Sequence, residues 1–142
     1  MAKAPLSDAI QHYLREIYKL GDGDERVTVT ALARALAVSP ASASGMVKKL
    51  AVLGLAEHTP YRGVTLTHAG VQVAVEVIRH HRLLELYLAE TLGLHVDEVH
   101  DEADRLEHAL SEELEARIDK ALGYPTHDPH GDPIPNAELE WP

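Results

Sequence analysis

The sequence contains no cysteine, no phenylalanine and a single tryptophan. Without cysteine there can be no disulfide, no thiolate metal site and no cysteine nucleophile. With aromatic residues at only 4% of the chain, a core must be built from Leu, Ala and Val. No run of about 18 uninterrupted apolar residues occurs, and the N-terminus lacks the apolar segment of a secretion signal. These absences lead us to expect a soluble cytoplasmic chain with no membrane partner. A length of 142 residues allows one domain or two small ones with a real core. There is no internal repeat.

What is present is unevenly placed. The net charge is −10, which by itself argues against nucleic acid. Yet residues 1–72 hold 8 Lys/Arg against 6 Asp/Glu, whereas residues 73–142 hold 5 against 17. The front half can approach phosphate, and the back half can attract cations. Seven of the ten histidines also lie in the back half.

In the front half, residues 7–20 read as a helix with Ile10, Leu14, Ile17 and Tyr18 on one face. His12 lies off that stripe and reads, alone, as a surface residue. Residues 28–36 form a short helix, and 37–39 a tight turn. Ser39 is a good N-cap and Pro40 a good first residue for a helix over 40–53. That helix begins with the small residues Ala41, Ser42 and Ser44 and continues with Lys48 and Lys49. This is a helix-turn-helix pattern whose first residues suit base edges and whose lysines suit phosphate. Residues 54–59 and 64–66 are β-rich and flank Pro60-Tyr61-Arg62-Gly63, a hairpin with Arg62 at its tip. A plain helical hairpin with a surface turn is the alternative; the order helix, helix, helix, hairpin favours a winged helix.

In the back half, residues 67–92 form a long helix with Thr67 as N-cap and Val73, Val77, Leu84 and Leu88 on its core side. Residues 96–122 read as one further helix, closed by Gly123. On it His100, Asp104, Glu107 and His108 fall at i, i+4, i+7 and i+8, one face beside the stripe Val99, Ala103, Leu106, Leu110, Leu114. His81 and Glu85 form a second i, i+4 pair on the preceding helix. Charged helix residues are ordinarily a solvated face. Two such sets of imidazole and carboxylate instead suggest a divalent cation, whose ordinary ligands these are. A face that needs no carboxylate for packing predicts that Glu107→Ala leaves the fold intact, and relief of repulsion with Asp104 predicts that it even stabilises the metal-free chain. After Gly123 four prolines within residues 125–135 make an extended strap.

These residues resemble the diphtheria toxin repressor family of metal-dependent transcription regulators, most closely its shorter, manganese-responsive branch. The stretches that carry the likeness are Val38-Ser39-Pro40, the wing, His80-His81-Arg82-Leu83-Leu84-Glu85, Asp97-Glu98-Val99-His100-Asp101-Glu102-Ala103 and Asp128-Pro129-His130-Gly131. The resemblance implies a principal metal site on His12, Asp104, Glu107 and His108, and a neighbouring one on His81, Glu85 and His100. It implies DNA-reading positions at Ser39, Ala41, Ser42, Ser44 and Lys49, with Arg62 in the wing. Longer members add an SH3-like domain, and the expectation here is a chain without it. Iron-responsive members tend to place sulfur where this sequence has His12 and Asp104, and manganese-responsive members carboxylate at both, so metal identity stays open between Mn²⁺, favoured, and Fe²⁺. Co²⁺, Ni²⁺, Zn²⁺ or Cd²⁺ can substitute in vitro by intrinsic affinity.

The expected architecture is mainly α: a winged helix-turn-helix DNA-binding domain over 1–72, then a helical metal-binding and dimerisation domain over 73–142 with its Pro-rich strap. The expected function is a non-enzymatic, metal-dependent transcription regulator, a repressor of metal-uptake genes. It would act as a homodimer on pseudo-palindromic double-stranded DNA, with no small organic ligand. Two alternatives stand beside it: a winged-helix regulator without metal control, and a small metallohydrolase. Against the hydrolase, no His-Glu-x-x-His motif is present.

Overall fold

Each helix of the N-terminal part starts where a hydroxyl can cap it. In the computed structural model, which describes residues 6–142, Ser7, Thr28 and Ser39 accept the backbone N–H of Ile10, Ala31 and Ser42. These caps open α1 (Asp8–Leu20), α2 (Val29–Leu36) and α3 (Pro40–Val52). Ala37 closes α2 in the left-handed conformation, φ 55°, and makes the tight turn of the helix-turn-helix. Two strands follow, β1 (Ala56–Thr59) and β2 (Gly63–Leu66), paired antiparallel with Thr59 opposite Gly63. The hairpin is anchored at its turn, because Val27 and Val64 exchange two backbone hydrogen bonds of 2.8 and 2.9 Å. Gly63 sits there at φ 116°, and a Cβ on it would lie 2.4 Å from the Val27 carbonyl oxygen. No other residue fits. Leu14, Leu32, Val47, Leu50 and Val64 form the buried aliphatic centre of this part.

Thr67 then opens α4 (His68–Glu90), accepting the Gly70 N–H and donating to the Gly54 carbonyl. The described chain divides into two compact units between Ala74 and Val75, within α4. In the second unit α4 is buried nearly all round, and Arg79, His81 and Glu85 are buried along with Leu83, Leu84 and Leu88. Two small cores form beside it, one from Leu83, Leu86 and Ile134, the other from Leu84, Ala103 and Ile118. Ile134 brings the strap against α4, and Arg79 and Arg82 of α4 donate to the carbonyls of Pro135 and Pro133. Among the described residues, no helix is long and apolar enough to cross a membrane.

The single helix expected over 96–122 is in fact two, α5 (Val99–Leu106) and α6 (Glu112–Ala121). Ser111 is the reason. Its hydroxyl accepts the Leu114 N–H, so it serves as an N-cap rather than a mid-helix residue. Glu112, Glu113 and Glu115 then occupy the first turn of α6, where the helix dipole favours negative charge. Only His100 and Asp104 share a helix face. Glu107 ends α5 and His108 lies in the connecting turn. The apolar stripe breaks at the same place: Val99 and Ala103 are buried, while Leu106 and Leu114 are exposed.

Candidate metal centre

The break between α5 and α6 aims side chains inward rather than scattering them. His81 of α4 sits at the middle of a ligand cluster in the second unit. Its Nδ1 lies 2.6 Å from Glu107 Oε2 and 3.3 Å from Asp104 Oδ1. Its Nε2 lies 3.1 Å from His100 Nδ1 and 3.3 Å from Glu85 Oε1. His108 Nε2 lies 3.3 Å from the other Glu107 oxygen. His81 therefore belongs as much to Asp104 and Glu107 as to Glu85 and His100, and the two sets of ligands implied by the resemblance meet on it.

Electrostatics follow from this crowding. Burial alone would lower the His81 pKa, but hydrogen bonds and charge from Glu107 and Glu85 outweigh it and hold the imidazole at about 9. Burial pushes Glu85 the other way, upward, and the His81 hydrogen bond and charge bring it below the usual carboxylate range. In the metal-free chain, then, a proton on His81 supplies the positive charge these carboxylates need.

Among the described residues, one buried carboxylate oxygen, Glu85 Oε2, has no hydrogen-bond partner. It lies 3.9 Å from His100 Nδ1 and 3.8 Å from His130 Nδ1, and Asp128 Oδ2 is 4.0 Å from the same His130 nitrogen. Those separations are too long for hydrogen bonds. They suit donor atoms that share one cation, each about 2.1–2.2 Å from it. A buried acceptor with no donor is costly, so the donor set fits a divalent cation. Asp128 is held by its own turn: its Oδ1 accepts the backbone N–H of His130 and Asp132. His12 belongs to the first unit, half-buried on α1.

Asp128 and His130 were not among the expected ligands. Asp-Pro-His-Gly stood out as a motif, but nothing local indicates that the strap meets Glu85, 43 residues earlier. A further group, Glu76, His80 and Glu115, also escaped the sequence reading. His80 Nε2 bonds Glu115 Oε2 at 2.8 Å, and its Nδ1 is 3.3 Å from the Glu107 carbonyl oxygen. The other Glu115 oxygen and Asp119 accept from the buried Arg79 guanidinium. This network ties α4, α6 and the strap together. The expectation that Glu107→Ala is harmless in the metal-free chain does not survive: the Glu107 carboxylate is fully buried on His81, and its loss would leave a buried imidazolium short of a partner.

In the first unit the expected DNA-reading residues lie on one helix and one hairpin. Ala41 and Ser42 are exposed at the start of α3, and Ser44 is half-buried. The Ser39 hydroxyl is occupied, accepting the Ser42 N–H and donating to the Ser42 hydroxyl at 2.9 Å. Lys48, Lys49 and Arg62 are exposed.

Comparison with known proteins agrees with this division of labour. Residues 5–64 match the iron-dependent repressor N-terminal DNA-binding domain, and residues 67–136 match the iron-dependent repressor metal-binding and dimerisation domain. A helix-turn-helix-type transcriptional regulator of Methanocaldococcus jannaschii is 36% identical over 114 residues, 80% of this chain and 91% of that protein. The diphtheria toxin repressor of Corynebacterium efficiens is 37% identical over 130 residues, 92% of this chain and 56% of the relative. Among solved structures, a manganese-dependent transcriptional repressor in complex with manganese superposes with a TM-score of 0.85 at 46% identity, covering 94% of this chain and 61% of that one. The chain thus spans little more than half the length of the last two.

Proposed function

This chain belongs to the iron-dependent repressor family, and from that premise we propose that it is a metal-responsive, DNA-binding transcription regulator acting as a homodimer. The observation that carries the metal half of this reading is the orphaned, buried Glu85 Oε2 among His100, His130 and Asp128. The residues offered as ligands are His81, Glu85, His100, Asp104, Glu107 and His108, joined by Asp128 and His130. His12 is offered on the resemblance alone. A bound divalent cation would supply the positive charge that these carboxylates share.

The chain's own residues do the rest. His81 gives up its proton to become a ligand. Glu85, Asp104 and Glu107 then hold α4, α5 and the turn after α5 to one centre, and Asp128 and His130 hold the strap to it. With only oxygen and nitrogen donors and no cysteine anywhere, ligand hardness favours Mn²⁺, with Fe²⁺ possible and Co²⁺, Ni²⁺, Zn²⁺ or Cd²⁺ able to substitute in vitro. The named manganese-dependent relative is in line with that order. Leu92, Val96, Leu106 and Leu114 of the second unit are exposed and free to meet a second copy. A C2 dimer would present two α3 helices to a pseudo-palindrome, with half-sites about 34 Å apart. Repression of metal-uptake genes is the regulatory outcome we favour. The relatives named above are regulators, and the hydrolase alternative is set aside.

The test is direct. Elemental analysis of protein purified from manganese-supplemented cells should find at least one divalent metal per chain. Selection from randomised duplexes should yield a two-fold symmetric site bound in Mn²⁺ and released in chelator. Equal binding with and without metal would leave a winged-helix regulator without metal control.

A further inference from the structure

The wing turn contains a residue whose conformation is hard to explain by folding. The Arg62 N–H donates to the Thr59 carbonyl at 3.0 Å, so Thr59-Pro60-Tyr61-Arg62 is a β-turn. Pro60 occupies its second position and Tyr61 its third, with φ 64°. This is the pattern of a type II turn, whose third position calls for glycine or asparagine. A tyrosine there is strained, because its Cβ crowds the backbone in the left-handed region. Such strain is ordinarily offset by burial or a hydrogen bond. Here it is not: Tyr61 has 107% of its reference exposure, the highest among the exposed large hydrophobic residues that the structure describes, and neither side of the ring is covered. Nor is the wing free to relax around it, since Val64 is hydrogen-bonded to the Val27 backbone, Gly63 lies close against that backbone, and Pro60 is rigid on the other side.

We propose that Tyr61 is a DNA contact at the tip of the wing, its phenol hydroxyl donating to a phosphodiester oxygen and its ring lying against the adjoining sugar. The inference rests on the DNA-binding reading above and adds a residue that it does not include. The chemistry fits the position. Tyrosine is one of the neutral side chains that bond phosphate, and the next residue, Arg62, is an exposed cation suited to the same backbone. A left-handed residue can serve a turn alone, as Ala37 does, but at Tyr61 the turn carries a large ring that the fold does not use, beside an exposed cation.

The experiment uses the full-length dimer with saturating Mn²⁺ and its selected duplex, and compares Tyr61→Gly, Tyr61→Phe and Arg62→Ala. Tyr61→Gly relieves the strain, so its melting temperature should equal or exceed the wild-type value. Its DNA affinity should nevertheless fall about tenfold, while Tyr61→Phe, which keeps the ring and the strain, should lose about threefold. The salt dependence should separate the two neighbours. Arg62→Ala should make the slope shallower by roughly one unit, and Tyr61→Gly should leave it unchanged because no charge is removed. Wild-type affinity in Tyr61→Gly overturns this inference alone. So does a lowered melting temperature that accounts for the lost binding, or a slope change equal to that of Arg62→Ala. A wild-type protein that binds no duplex overturns the DNA-binding reading together with it.

Discussion

His81 and Glu107 form the pair on which the metal-free site depends. The His81 pKa of about 9 lies above the ordinary 6.5, so the fold favours the protonated imidazole. Its contribution to stability is complete below about pH 6.5 and is lost as pH rises through about 9. Chelator-treated protein should therefore melt at a lower temperature at pH 9 than at pH 6.5. Metal must displace the same proton, so metal affinity should rise over that range, and calorimetry in buffers of different ionisation enthalpy should detect proton release. Glu107→Ala should cost the metal-free chain about 1–3 kcal/mol by leaving His81 short of a partner. Chemical denaturation in EDTA measures this, and unchanged stability would mean the carboxylate is not needed for packing. Glu85→Gln should behave differently. It keeps an acceptor for His81 and removes the charge on the orphaned oxygen, so the fold should persist while the metal-induced rise in melting temperature shrinks.

At the scale of elements, the turn between α5 and α6 and the strap decide where the proposed ligands stand. Ser111→Ala removes the cap of α6 and should cost about 1 kcal/mol, a melting decrease of a few degrees. It should also weaken metal binding modestly, because Glu107 and His108 belong to the turn that Ser111 terminates. Arg79 makes a larger claim. Its guanidinium is buried and joins Glu115 and Asp119 of α6 to the Pro135 carbonyl of the strap. Arg79→Ala should destabilise by roughly 3–5 kcal/mol, since it leaves Asp119 without its cation and Glu115 with His80 alone. In a variant that still folds, limited proteolysis should cut first within residues 124–136. A strap as resistant as in the wild type would show that Ile134 and the Arg82–Pro133 hydrogen bond hold it without Arg79.

In the molecule as a whole, metal binding and DNA binding should be coupled. Linkage makes the coupling reciprocal: operator DNA should tighten metal binding by the factor that metal tightens DNA, typically about 5- to 150-fold. Calorimetric titration of Mn²⁺ with and without the selected duplex checks it, and a factor of one would mean that metal and DNA bind independently. Lys49→Ala should weaken binding to all duplexes alike and lower the salt slope by about one unit, whereas a change at Ser42 should alter sequence preference.

The sequence by itself determined what depends on neighbours along the chain. The hydroxyl cap at Ser39, the Pro40 start, the Pro60–Gly63 turn, the Thr67 cap and the charge split between halves are local chemistry, and they marked a winged helix-turn-helix ahead of an acidic helical region. The i, i+4 pairs His81/Glu85 and His100/Asp104 were legible for the same reason. The end of α5 was not, because Ser111 falls within an apolar period that continues past it, and periodicity outweighed one cap. Only the tertiary structure decided what those ligands share. Packing of the strap on α4 brings Asp128 and His130 to Glu85, and the turn after α5 brings Glu107 to His81, 26 residues away in the chain. Such convergence is set by which apolar faces bury one another, so no spacing within either segment could announce that His81 would need a proton or that Glu85 would keep an oxygen without one.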